Sequence, residues 1–107
     1  MESKRQIQVS QEIAHMAGAF FARESNVKAL ITVTHADISS TFKDVTVFLS
    51  VFPQTMEETA LTFAKRARSD FRAYIKKESR LHPIPIVDFV LDLGEKNRQR
   101  VDELTRK

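Results

Sequence analysis

The sequence predicts an α+β fold, a three-stranded sheet with helices packed on one face, and three observations carry that reading. Apolar residues recur at helical spacing from Val9 to Phe20. Residues 44–52 alternate with the two-residue period of a half-buried strand. A helical period then returns from Met56 to Ser79 and stops ahead of Pro83 and Pro85.

Each element has a local cause. Ser3 followed by Gln6 has the spacing of a capping box and opens the first helix, which Val9, Ile13, Met16, Ala17 and Phe20 anchor as far as Arg23. Gly18 sits inside it, at a cost of up to ~1 kcal/mol relative to Ala, and reads as a close packing point. Ser25-Asn26 is a turn pair. Ala29–Ala36 is rich in β-branched residues and reads as a strand, and Asp37–Phe42 as a polar connection. In the second strand, Asp44–Phe52, Val45, Val47, Leu49 and Val51 fall on one face; Thr46, Phe48, Ser50 and Phe52 fall on the other. The two strands make an antiparallel hairpin with a longer loop.

Thr55 and Glu58 repeat the capping-box spacing ahead of a helix over residues 56–79. Pro83 and Pro85 terminate it. Ile86–Leu91 follows as a short apolar strand whose mixed faces suggest a well-covered position. Leu93-Gly94 ends that strand, and Glu95–Arg106 reads as a short polar helix anchored by Val101 and Leu104. The pattern alone therefore gives the order α-β-β-α-β-α.

Composition narrows the function classes. The 107 residues are 42% hydrophobic and 29% charged, which is ordinary globular composition and suits one domain over 1–107, with 94–107 as a C-terminal helix or tail. The absence of cysteine removes disulfides, thiolate metal sites and cysteine nucleophiles. No apolar run approaches the ~20 residues that span a bilayer, and residues 1–6 lead into no hydrophobic signal region. A soluble cytoplasmic protein is the expectation.

Net charge is only +3, but it is unevenly placed. Residues 65–80 hold seven bases (Lys65, Arg66, Arg68, Arg72, Lys76, Lys77 and Arg80) and two acids, whereas the remaining 91 residues hold ten bases and twelve acids. On one continuous helix turning ~100° per residue, Lys65, Arg68, Arg72, Lys76 and Arg80 share a flank, with Ala67, Phe71 and Ile75 roughly opposite. A solvated helix face often carries such charges. Against an otherwise acidic chain, the stripe fits a phosphate backbone, where neutralised phosphates release counterions.

Enzymatic chemistry finds little support. Glu12 and His15 share a helical face, but a di-iron site needs a second such motif. His35 and His82 lack the neighbours of a triad. Asp88 and Asp92 lie on one face of the last strand; paired carboxylates can do acid–base work, yet strand-end aspartates commonly cap turns. No phosphate loop, dinucleotide fingerprint or nucleophile elbow is present. Phe48 and Phe52 could stack bases, but helix packing accounts for them as core or partial core.

Several segments, in order and at matching distances, resemble the ribosome-binding factor A family. They are Arg5–Ile13, Ala36–Phe42 and Val45–Ser50, then Phe71-Arg72, Arg80-Leu81 and Pro85–Asp92. The resemblance covers Arg5 to Leu104. It implies a KH-like type II topology, α-β-β-α-α-β plus a short C-terminal helix, with an interhelical kink at Ala67-Arg68-Ser69. Serine stands at position 69 where the family has glycine, so either Ser69 caps the second half of that helix or the helix runs straighter than the family's. The resemblance further implies a ribosome biogenesis factor that binds immature small ribosomal subunits and their rRNA, assists rRNA maturation and matters in the cold. A monomer with no cofactor, metal, membrane or small-molecule substrate is the expectation. In that role the seven bases would contact phosphates. The alternative is a protein-interaction module of the same fold, with RNA binding incidental.

Overall fold

A computed structural model describes residues 3–24 and 29–94. The order is α1 (Lys4–Glu24), β1 (Leu30–Ile38), β2 (Asp44–Phe52), a 3₁₀ turn (Gln54–Met56), α2 (Glu57–Arg66), α3 (Arg68–Glu78) and β3 (Ile86–Leu91). The Ser25-Asn26 turn and the helix expected over Glu95–Arg106 lie outside the described residues.

The capping box at the start of α1 forms in both directions. The Gln6 amide donates to Ser3 Oγ at 3.1 Å, and the Ser3 amide donates to Gln6 Oε1 at 2.9 Å. Val9, Ile13, Met16, Ala17 and Phe20 are buried, joined by Phe21. Gly18 is not a close packing point: a Cβ built there meets nothing within 4 Å. The second capping box does not form. Thr55 is taken into the 3₁₀ turn, so α2 starts at Glu57 from Met56 with no side-chain cap.

The sheet order is β1-β2-β3, β1 antiparallel and β2–β3 parallel to one another. In the central strand Val45, Val47, Leu49 and Val51 are buried against the helices. β1 runs two residues further than its composition suggests. Ile38 pairs with Val45 and is itself buried, and its amide donates to the buried Ser10 Oγ at 3.0 Å. A bulge interrupts β1 at Thr34, between the pairs Val33–Leu49 and His35–Phe48. The hairpin closes on Ser39, whose Oγ accepts the amides of Lys43 and Asp44 at 3.2 Å each, and Phe42 takes the left-handed conformation (φ 61°).

β3 is an edge strand, not a well-covered one: Val87 and Phe89 are buried, while Ile86 points to solvent. Its apolar outer residues belong to the face on which no described helix packs. An aromatic cluster joins the layers, with Phe71 5.3 Å from Phe20 and 5.6 Å from Phe89 between ring centroids, and Phe21 5.1 Å from Phe89. The observed order α-β-β-α-α-β, with all described helices on one face of the sheet, is the KH-like arrangement.

Candidate nucleic-acid interface

The helix expected over residues 56–79 is two helices that meet at Ala67. The Ala67 amide is shared between the carbonyls of Phe63 and Ala64, at 3.1 and 3.0 Å, and its backbone (φ −88°, ψ 4°) leaves the helical well. Ala67 is buried, which holds the joint against the sheet. Ser69 is not the cap. Ala67 holds that position, no side chain caps α3, and Ser69 lies within its first turn. Among the described residues only Phe42, and no glycine, has positive φ, so the joint makes no demand that a glycine alone could meet.

The break also divides the basic row. Lys65 is on α2, Arg68, Arg72 and Lys76 are on α3, and Arg80 lies beyond the extended cap Ser79. The shared flank of a single helix therefore does not exist in that form. Arg66 lines a groove beside Thr59, Thr62 and Phe63, and Lys77 lines another beside Phe20 and Tyr74.

Three of the seven bases are bound to the protein itself. Lys65 Nζ donates to Asp88 Oδ1 at 2.9 Å, and Arg68 Nη1 reaches the same oxygen at 3.4 Å. Arg68 Nε also donates to the Lys65 carbonyl at 2.9 Å. Arg72 grips the chain before β3, its Nε and Nη2 donating to the carbonyls of Pro85 and Ile84 at 3.0 Å each. The helix joint is thereby fastened to the outer edge of β3. No hydrogen bond or ion pair among the described residues engages Arg66, Lys76, Lys77 or Arg80, and all four are exposed.

The two aspartates have separate environments. Partial burial raises the Asp88 carboxyl, but the hydrogen bond and charge of Lys65, the Phe89 amide and the charge of Arg68 outweigh it and leave it below its ordinary value. Asp92 is lowered chiefly by the hydrogen bond that Thr34 Oγ1 donates at 2.7 Å, and then by the amide of Gly94 at 2.9 Å. His35 Nδ1 stands 3.8 Å from Asp92 Oδ2. The two aspartates are not arranged as an acid–base couple: each is engaged by its own donors. Among the described residues no group of three His, Asp or Glu side chains could hold a metal ion. No described helix is long and apolar enough to cross a membrane.

Phe52 is not core. It is 73% exposed, because no described helix packs on its side of the sheet. Phe48 is half-buried under the ring of His35, with centroids 4.1 Å apart and planes 8° from parallel. The sequence put Phe48 and Phe52 on the face opposite Val45 and Val47 but assigned them to helix packing; that the described helices all choose the other face is what it did not show.

Residues 4–105 match the family model described as ribosome-binding factor A. A Thermobifida fusca protein named ribosome-binding factor A is 30% identical over 78 residues, 72% of this chain and 52% of that protein. The chain thus spans about half the length of that curated relative. Among solved structures, the crystal structure of Thermus thermophilus ribosome-binding factor A superposes with a TM-score of 0.73 at 18% identity, covering 80% of this chain and 94% of that one. A homology model of the Thermus thermophilus protein was fitted into the cryo-electron-microscopy map of its complex with 30S. It has a TM-score of 0.63 at 20% identity, covering 87% of this chain and 97% of that one.

Proposed function

The chain belongs to the ribosome-binding factor A family, and from that premise we propose that it is a ribosome biogenesis factor, a monomer of the cytoplasm that binds immature small ribosomal subunits and their rRNA. It assists rRNA maturation and is needed most in the cold. The Thermus relative fitted into the map of a 30S complex supports the choice of partner.

The observation that carries the reading is the concentration of bases on α2, on α3 and just beyond them. Lys65, Arg66, Arg68, Arg72, Lys76, Lys77 and Arg80 belong to α2, α3 and the segment that follows, within a chain that is otherwise slightly acidic. Contacts from these side chains to phosphates set the protein's position on rRNA without reading its sequence. Lys76 and Arg80 are open to solvent and make first contact. Lys65 and Arg68 join only as a phosphate replaces Asp88. Shape and single-stranded segments of the rRNA supply recognition. The role is one of holding a conformation and requires no catalytic step.

Sedimentation of lysate from cold-grown cells at low and moderate salt tests the proposal. Co-migration with free small subunits that disappears as salt rises is expected. Migration with light fractions alone at both salts overturns it.

A further inference from the structure

The face of the sheet turned away from the helices has a different chemistry from the helical side. Leu30 and Phe52 are partners in register, 67% and 73% exposed, and Ile86 is 63% exposed. No Lys or Arg occurs on β1, β2 or β3, whereas Asp37, Asp44 and Asp88 alternate onto this face and Asp92 follows at its end. Lys65 and Arg68 reach round the β3 edge, and both are engaged by Asp88. Beside Phe52 the face ends in a recess of about 340 Å³, whose lining includes Glu57, Asp92 and Leu93.

Away from the β3 edge, where Lys65 and Arg68 engage Asp88, the carboxylates of Asp37, Asp44 and Asp92 repel phosphate groups, so the aromatic residues of this face do not make it a platform for RNA. Anionic lipid headgroups meet the same repulsion. A polypeptide bearing both apolar and cationic side chains matches both features: Lys and Arg lay their stems on apolar surface while the charged heads reach carboxylates. We infer that this face docks a basic, apolar-bearing segment of a protein partner, independently of the bases on the helical side. Nine-residue strands at ~3.3 Å per residue span about 30 Å, so an extended segment of roughly nine residues would cover the face.

The small-subunit reading enters only as the source of that segment, and one experiment separates the two. A benzophenone side chain is placed at Ser50, which is exposed on this face. The full chain is then sedimented with purified small subunits and irradiated, and the adducts are identified by mass spectrometry. The expected adduct is a ribosomal-protein peptide with net positive charge and apolar residues. Adding Leu30→Lys and Phe52→Lys, both at exposed positions, should lower its yield at least tenfold while co-sedimentation keeps its salt dependence. Co-sedimentation with an rRNA adduct, with no adduct, or with a yield indifferent to the two lysines overturns the inference and leaves the small-subunit reading standing. Failure to co-sediment overturns that reading, and this one with it.

Discussion

Lys65 Nζ lies 2.9 Å from Asp88 Oδ1 across the outer edge of β3, joining the end of α2 to the middle of a strand 23 residues further along the chain. With Arg68 on the same oxygen, one carboxylate faces two bases, the arrangement a phosphate oxygen would have. The carboxylate therefore competes with any phosphate for both. Asp88→Asn is expected to raise affinity for single-stranded RNA by up to about tenfold, or ~1.4 kcal/mol. The pair is exposed, so its loss should cost at most ~1 kcal/mol of stability. Fluorescence anisotropy checks the first and urea unfolding the second. Weaker binding would mean that Asp88 positions the bases.

Arg72 and Lys76 are one helical turn apart but do different work. Arg72 is committed to the carbonyls of Pro85 and Ile84, and a lysine cannot reproduce its planar fork. Arg72→Lys should therefore destabilise the protein by about 1–2 kcal/mol while retaining the charge. Lys76→Glu with Arg80→Glu should weaken RNA binding and flatten its salt dependence, leaving the unfolding midpoint within ~0.5 kcal/mol of the parent. Equal effects of the two changes on unfolding would contradict this division.

Gly18 faces open space within a helix, so nothing offsets its conformational cost. Gly18→Ala is expected to stabilise by up to ~1 kcal/mol, a rise of roughly 4 °C in Tm. Scanning calorimetry is sufficient to see it. An unchanged or lower Tm would mean that position 18 meets a neighbour.

Ser10 is buried and accepts the Ile38 amide. Ser10→Ala leaves that amide without its partner and should cost about 1–3 kcal/mol. Amide hydrogen exchange at Ile38 should accelerate with it, and protection that persists would identify another acceptor.

Asp88 and Asp92 both titrate below the ordinary carboxyl value of 3.8 in the folded state. Their contribution is present in full above that value and is lost as pH falls through the lower, folded values. Stability should therefore decline on the acid side of about pH 4. Asp92→Asn should make the decline shallower, read from urea midpoints between pH 5 and pH 2.5. An identical acid limb in the variant would remove Asp92 from the account.

What the sequence disclosed was what neighbouring residues decide. Ser3 and Gln6 cap one another three residues apart, and the alternation of β2 is written in its own side chains. Thr55 and Glu58 have equal spacing, but the 3₁₀ turn consumed the threonine. The basic residues were legible as a cluster, and their engagement was not. The acceptors of Arg72 lie 12 and 13 residues away, and that of Arg68 on Asp88 lies 20 away. The exposure of Phe52 depends on every described helix choosing the other face, which no single segment encodes.

The bulge at Thr34 has a mechanical consequence. From Val33 to Ala36 the first strand advances three residues while its partner goes two, from Leu49 to Val47. The extra step puts Thr34 and His35 both on the open side. It frees the Thr34 hydroxyl to meet Asp92, 58 positions later, over the top of β2. The two outer strands share no backbone bond, yet this strut ties them. A side-chain link thus joins the two margins of the sheet, which the backbone ladder connects only through β2.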